Sequence, residues 1–308
     1  MQITITQADH GRILRYFLQN SLRLSTKMIK HLKFSEDGIL VNGNRVTVRY
    51  ILQVGDLLSL ALEDEESALI EPVDLPLEIL YEDDDLVVPA KPADMPTHPS
   101  HDHYGDTVAN ALAYRYASLG IPFVFRPINR LDRNTSGLLL IARNRVSAGR
   151  MSQSMRSGEI RKAYLAILDG RLSTDHGIID ACLHRTAESI IVREVCAPDA
   201  PDADTAVTEY QVLAVGERHT LVLAKPITGR THQLRVHFAH IGHPITGDDL
   251  YGNASPDIPR HALHAAELIF PHPNDSRVLH LRAPLPPDMA HLVDAYFPGL
   301  DLAERSFL

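Results

Sequence analysis

The run Arg126-Pro127-Ile128-Asn129-Arg130-Leu131-Asp132-Arg133-Asn134-Thr135-Ser136-Gly137 sets three arginines around one carboxylate. A rigid carboxylate in a basic pocket suits chemistry on a polyanion. A surface salt-bridge loop is the ordinary alternative, because structural ion pairs build the same clusters. A second run, Gly229-Arg230-Thr231-His232-Gln233-Leu234-Arg235-Val236-His237-Phe238-Ala239-His240-Ile241-Gly242-His243-Pro244, combines two arginines with four histidines. Taken alone it admits a metal site. His98, His101 and His103 form another cluster that zinc would suit, but no Cys or Glu flanks them at a metal spacing, and no metal is expected. Tyr164 follows Arg161 and Lys162, an aromatic among cations in a strand-like run where packing is the usual role.

These residues need elements to hold them. Leu138-Leu139-Leu140-Ile141-Ala142 is a short apolar run after the Thr-Ser-Gly turn and reads as a buried strand, so Asp132 belongs to a loop feeding the core. Thr231 is placed to cap a helix with Leu234, Phe238 and Ile241 on one face, ended by Gly242 and Pro244. Arg235 lies near its start. Residues 106–119 predict an amphipathic helix with Val108, Leu112 and Tyr116 in register and Gly120 as terminator. Val146, Met151 and Met155 mark another helix. Between residues 170 and 227, the runs Ile190-Ile191-Val192, Thr208 to Leu213 and Thr220 to Leu223 alternate as in an antiparallel meander.

The first 62 residues read as a separate unit. Ile13, Leu14, Phe17 and Leu18 recur at helical spacing, and a second helix with Ser25 or Thr26 as cap carries Met28, Ile29 and Leu32 inward. Val41-Asn42-Gly43-Asn44 marks a hairpin turn. Residues 63–78 are acidic and hold Pro72 and Pro76, which predicts a self-repelling linker to a second domain over residues 79–300.

The net charge of −9 opposes nucleic-acid binding only on average. Residues 63–85 carry eleven acids and no Lys or Arg, whereas residues 126–162 carry nine Lys or Arg against two acids and residues 1–60 carry eight against four. Local basic surface is what attracts phosphates. No apolar run approaches bilayer length, and the opening Met1-Gln2-Ile3-Thr4 lacks the pattern of a secretory leader. Cys182 and Cys196 are the only cysteines, without Cys-x-x-Cys spacing, which suits a reducing cytoplasm and offers no metal cage.

The string Arg130-Leu131-Asp132-x-x-Thr135-Ser136-Gly137 resembles the signature of the RluA-type pseudouridine synthases, and Gly229-Arg230-x-His232-Gln233-Leu234-Arg235-x-His237 resembles a second signature of that family. Lys91-Pro92-x-Asp94-x-Pro96-x-His98 is similar to a third segment, with Asp94 where Gly is usual; Asn129 stands where the family often has His. Gly247-Asp248-x-x-Tyr251-Gly252 and Leu263-His264-Ala265-Ala266-Glu267-Leu268 continue the likeness. Residues 1–62 resemble the S4-like (alpha-L) RNA-binding domain through Val-Asn-Gly and Val54-Gly55-Asp56-x-Leu58. The implied fold class is α+β: a small S4-like domain, then a pseudouridine-synthase catalytic domain on a mixed, mostly antiparallel sheet with flanking helices.

The resemblance implies isomerisation of uridine in RNA to pseudouridine. Asp132 is then the catalytic carboxylate, either nucleophile at the anomeric carbon or base at the neighbouring sugar carbon. Arg235 is its basic partner and keeps it ionised, and Tyr164 stacks on the uracil and helps discard the last ring proton. Arg130, Arg133, Lys162, Arg230 and His232 are expected to contact RNA in the second domain, and Arg15, Lys27, Lys30 and Lys33 in the first. Arg130 would fill the gap left by the flipped nucleotide. Lys91 would hold phosphate or the target loop. No organic cofactor is needed, because nothing is oxidised or transferred. The expected partner is RNA, ribosomal more than transfer RNA, with no membrane and no obligate protein partner, so a monomer. Two rival readings with a sequence feature behind them stand beside it, and a third, a structural partner protein, has none. One is a non-catalytic RNA-binding or ribosome-assembly factor, which would lack Asp132, Tyr164 or Arg235. The other is a metal-dependent hydrolase built on the histidine clusters.

Overall fold

A computed structural model of the chain describes every residue except 1, 23, 25, 36, 62–69, 190, 276 and 303–308, together with the side chain of Lys27. The expected contributions of Ser25, Lys27 and Ile190, and the first half of the acidic linker, therefore lie outside the described residues.

The first unit is a four-stranded antiparallel sheet, β1 (Gln2–Thr4), β2 (Ile39–Val41), β3 (Asn44–Arg45) and β4 (Leu57–Leu60), in the order β1-β4-β2-β3. Helical turns α1 (Leu14–Tyr16) and α2 (Thr26–Phe34) pack on it; α1 continues as a wider π-type turn over Phe17–Ser21. Asn42 and Gly43 both have positive φ, +52° and +77°, as a tight two-residue hairpin requires. Leu14, Phe17, Leu18, Ile29 and Leu32 are buried with the sheet's inner face. Ile13, expected among them, is instead exposed, because the helix begins one residue later and Ile13 is left on a bridge to Ile51.

The second unit is organised by one eleven-stranded sheet. Its strands are β5 (Glu78–Glu82), β6 (Leu86–Lys91), β7 (Arg126–Pro127), β8 (Ser136–Leu138), β9 (Ile141–Ala142), β10 (Arg161–Asp169), β11 (His176–Asp180), β14 (Val207–Val215), β15 (His219–Pro226), β16 (Leu263–Pro271) and β17 (Val278–Arg282). A separate hairpin pairs β12 (Leu183–Arg185) with β13 (Arg193–Val195). The helices are α3 (Val108–Ser118), α4 (Arg145–Arg156), α5 (Gln233–His240) and α6 (Pro287–Tyr296). The spatial order is β11-β14-β15-β10-β16-β8-β6-β9-β7, with β17 on β16 and β5 on β6. Every pairing is antiparallel except β8 with β16.

That one parallel contact is decided by Gly137. Its φ is +111°, and a Cβ there would lie 2.2 Å from the carbonyl oxygen of Ala265. Only glycine permits the approach. The apolar run after it splits in two: β8 pairs with β6 and β16, while β9 pairs with β6 and β7. Leu138, Leu139, Leu140 and Ile141 are at most 1% exposed. Burial on this scale stabilises by about 1.5–3 kcal/mol per aliphatic side chain.

Three expectations are corrected. The strand anticipated at Ile190-Ile191-Val192 lies at Arg193–Val195, with Ile191 exposed at the turn. Helix α5 is capped by His232 in the left-handed region, not by Thr231, and no side chain caps it. The linker is not free along its second half. Asn110 donates to Glu71 O at 2.7 Å, Val73 N–H donates to Asn110 O, and Leu75 and Leu77 pack on the main core. The hydrophobic residues interleaved with its acids anchor it. The two units also touch: Val146 packs on the first unit's core and Arg150 donates to Leu22 O at 3.3 Å.

Candidate active site

Asp132 sits on a loop fixed at nearly every residue. Leu140 N–H donates to Asn129 Oδ1 at 2.7 Å, tying the loop's start to the strand beyond it. Asn129 thus has a structural task that needs an acceptor and not a charge. Thr97 Oγ1 bridges the backbone of buried Leu131, donating to its carbonyl at 3.0 Å and accepting from its N–H at 3.4 Å. Thr135 N–H donates to Asp132 O. Thr135 Oγ1 meets His261 Nε2, and Ser136 Oγ meets His264 Nδ1, both at 2.9 Å. Two buried cations clamp the loop from beneath. Lys91 donates to Pro92 O, Met95 O and Arg133 O at 2.9, 2.8 and 2.7 Å. Arg260, forked onto Asp288 at 2.7 and 3.0 Å, donates to Asn134 O at 3.0 Å. Lys91 holds the protein's own loop, where phosphate or the target loop was expected: it is 1% exposed and its donors are directed at backbone carbonyls of this chain. Burial pulls its pKa down to about 7, partly offset by the charge of Asp132.

Arg235 projects from α5 beneath the carboxylate, 6% exposed. Its Nε and Nη2 donate to the two oxygens of Asp248 at 2.7 Å each, and Nη1 faces Asp132 Oδ2 at 3.6 Å. The ring of Tyr251 lies 5.0 Å below the guanidinium. Burial would weaken the charge on Arg235, but the hydrogen bonds and charge of Asp248, with Asp132, hold its pKa above the ordinary value. Burial likewise works against ionised Asp248, and the pairing with Arg235 holds that carboxyl below its ordinary range.

His232 approaches from the other side, its Nε2 4.0 Å from Asp132 Oδ1. Its backbone is left-handed, φ +57°, a strained setting for a residue with a β-carbon. Nδ1 lies 2.8 Å from the hydroxyl of Tyr251, which accepts the N–H of Arg193 at 2.9 Å. Burial lowers the imidazole pKa, against the pull of Asp132.

Tyr164 rises from β10 with Lys162 two residues before it, at a bulge in the pairing with β16. Tyr164 is 8% exposed, and burial followed by the charge of Asp132 pushes its phenol pKa up, so it is protonated at neutral pH. Burial lowers the pKa of Lys162.

One cavity of about 1130 Å³ joins these groups. Asp132, Tyr164, Arg235, Arg130, Arg133, Lys162, Arg230 and His232 all line it. Arg130 is exposed on its wall, and its charge depresses the pKa of neighbouring His98 after burial. Arg133 is held at the rim by Asp94 at 2.6 Å and by His103 Nε2 at 3.1 Å, with His103 bound to Asp106. Asp94 has φ +62°, which accounts for glycine at this place in the resembled motif: aspartate tolerates the left-handed region better than most residues. Arg230 pairs with Asp204 at 3.1 Å and donates to Thr205 O. Arg15, Lys30 and Lys33 do not line the cavity; they lie exposed on the first unit.

The histidine cluster at 98–103 disperses: His98 joins the cavity wall, His101 meets Asp102, and His103 meets Asp106 and Arg133. Among the described residues, one trio has metal-capable atoms within 4.8 Å of each other, Asp83, Asp85 and His272. Its oxygens are already engaged. Asp83 Oδ1 accepts from the N–H groups of Asp85 and Leu86, Asp83 Oδ2 from His272, and Asp85 from Asn144, Ser147 and Asn274. The trio pins the β5–β6 hairpin to the start of α4.

Sequence reasoning missed Arg260, Asp288, Thr97 and the pairing of Asp248 with Arg235. Asp248 and Tyr251 lay inside a quoted string without a role. Arg260 and Asp288 are 28 residues apart with no signal linking them.

The model of the RNA pseudouridylate synthase family matches residues 85–240. The chain is 38% identical over 275 residues to the uncharacterized RNA pseudouridine synthase YjbO of Bacillus subtilis, covering 88% of this chain and 95% of that one. It is 35% identical to ribosomal large subunit pseudouridine synthase D of Pasteurella multocida over 83% of this chain and 82% of that one. Among solved structures, human RNA pseudouridylate synthase domain containing 1 is 30% identical with a TM-score of 0.57, over 70% of this chain and 86% of that one. A loop-borne carboxylate over a buried arginine, the matched family model and relatives aligned along most of their length agree: the chain belongs to the RNA pseudouridylate synthase family and is an RNA pseudouridine synthase, an isomerase.

Proposed function

We propose that Asp132 is the catalytic carboxylate, with Arg235 as its basic partner and Tyr164 as the stacking aromatic, acting on a uridine everted from RNA into the cavity. The observation that supports this most is convergence. Asp132 comes from a loop, Tyr164 from a strand and Arg235 from a helix, far apart in sequence, yet all line one cavity of about 1130 Å³. A flipped nucleotide needs such a pocket, with an aromatic face for its base. In the nucleophilic route, the Asp132 oxygen bonds to C1′ as the C1′–N1 bond breaks and its electron pair passes to the uracil. The base turns, C5 bonds to C1′, and the carboxylate leaves. In the alternative route Asp132 takes a proton from the neighbouring sugar carbon as the C1′–N1 bond breaks, leaving a double bond between the two sugar carbons, and returns that proton to the same carbon as C5 bonds to C1′. Either way a proton leaves C5 last. The phenol of Tyr164 is protonated, so it serves by relaying that proton, passing its own to the freed carboxylate.

Arg130, Arg133, Lys162, Arg230 and His232 would meet RNA at the cavity, and Arg15, Lys27, Lys30 and Lys33 on the S4-like first unit would hold flanking phosphates by charge and shape. Ribosomal RNA is the favoured substrate. The basic first unit supports it, as do relatives named for the ribosomal large subunit. No cofactor or metal enters this route. No helix among the described residues is long and apolar enough to cross a membrane, and we place the protein in the cytoplasm as a monomer. Mapping pseudouridines in cellular RNA with and without the protein tests the substrate. A site in ribosomal RNA that vanishes supports the reading; loss confined to transfer RNA overturns that part of it.

A further inference from the structure

We infer that His232 reads the 2′-hydroxyl of the target ribose, making the site selective for RNA over DNA at the nucleotide that reacts. This rests on the assignment of Asp132 above.

We assign the imidazole the tautomer with its proton on Nε2. Tyr251 already accepts the N–H of Arg193 at 2.9 Å, and among the described residues the partner left for its own proton is His232 Nδ1 at 2.8 Å. Nδ1 therefore accepts, and the ring proton resides on Nε2, which faces Asp132 Oδ1 across 4.0 Å. That gap is too long for a direct hydrogen bond. It suits a single inserted oxygen: two bonds of about 2.8 Å meeting at one atom span roughly 4 to 4.6 Å. The inserted atom must donate to a carboxylate and accept from an N–H, so a carbonyl oxygen fails and a hydroxyl fits. Asp132 must face the sugar to react at it, and the hydroxyl on the carbon beside the anomeric centre is the 2′-OH. It is also the group by which proteins distinguish RNA from DNA.

The surroundings hold His232 to this task. Its left-handed backbone is a strained conformation, and Arg235, paired with Asp248, leaves the imidazole as the neutral neighbour of Asp132. Burial keeps it from taking a proton, so Nε2–H is offered without adding a second charge beside Asp132. Tyr251 acts through His232 and is a positioning residue.

The test uses the full-length protein and an RNA oligonucleotide carrying a uridine it converts, beside the same strand with 2′-deoxyuridine at that one position. Conversion and Kd are both read, so that a slow deoxy strand still yields a ratio. The wild type is expected to favour the ribonucleotide by about tenfold or more, the scale of one buried hydrogen bond pair to a charged group. His232→Ala should shrink that preference several-fold, by losing performance on the ribo strand and little on the deoxy strand. His232→Gln, whose amide N–H reaches about as far as Nε2, should restore part of it, and Tyr251→Phe should lower it in part. An equal loss on both strands, with the ratio unchanged, would overturn the inference while leaving the catalytic assignment standing. Failure of the wild type to convert any uridine would overturn both.

Discussion

Replacing Arg235 with methionine isolates the buried charge pair on which the site is built. The side chain is 6% exposed and Asp248 is fully buried, with both carboxylate oxygens bonded to the guanidinium at 2.7 Å. Methionine keeps much of the contact with Tyr251 but leaves Asp248 a buried anion with, among the described residues, the backbone N–H groups of Leu250 and Tyr251 as its donors. Removing one member of a buried pair costs about 3–5 kcal/mol. The pH dependence carries the sharper signature. In the wild type the carboxyl of Asp248 lies below its ordinary value, so its stabilisation is complete above about pH 4 and is lost only as pH falls further. Without Arg235, burial dominates and raises that pKa above the unfolded value. The folded variant then binds more protons than its unfolded chain, and its stability falls as pH rises through that window. The gap between wild type and R235M should therefore be widest near about pH 7.5 and should narrow toward about pH 5. The protein has no tryptophan, so urea unfolding is best followed by far-UV circular dichroism. Adding Asp248→Leu should recover much of the loss, since an apolar pair of similar volume replaces a buried ion pair at little cost. A gap independent of pH, or a double variant no more stable than R235M, would refute the assignment of the penalty to an orphaned Asp248.

Tyr164→Phe keeps the stacking ring and removes the relay; kcat should fall by about 10²–10⁴ with Kd for RNA nearly unchanged, which single-turnover kinetics and filter binding would separate. Replacing Arg15, Lys30 and Lys33 together with glutamine should weaken RNA binding and flatten the plot of log K against log salt by about 2 units, with conversion at saturating RNA retained. Lys91 titrates at about 7 in the folded protein. Its unfolded value lies near about 10.4, so the unfolded chain binds more protons between these values and stability from this residue rises with pH across that window. Lys91→Met should abolish that rise, visible as a flatter dependence of the urea midpoint on pH.

What the sequence displayed of the site followed from contiguity. Asp132, Tyr164 and Arg235 each sit inside a run whose turn residues and periodicity announce a loop, a strand and a helix, and all three line the cavity. The apolar period likewise placed Leu14, Phe17 and Leu18 in the first core and Val108, Leu112 and Tyr116 in the second. The supporting charges were hidden because their partners lie far along the chain. Lys91 to Arg133, Arg260 to Asp288, and Thr97 to Leu131 are joined only by the fold. His232 was expected to touch RNA, but its left-handed backbone and the tautomer set by Tyr251 have no signature in residue type. The acidic linker misled for a different reason. Charge predicted a free tether, while Leu75 and Leu77 between the acids pack on the core.

The direct measurement is conversion of uridine to pseudouridine in RNA by the purified protein, scored site by site for the wild type and for Asp132→Asn beside an RNA-binding assay. The expected result is full conversion by the wild type, none by the variant, and Kd values within a few-fold of each other. Conversion by the variant at the wild-type rate would contradict Asp132 as the reacting carboxylate.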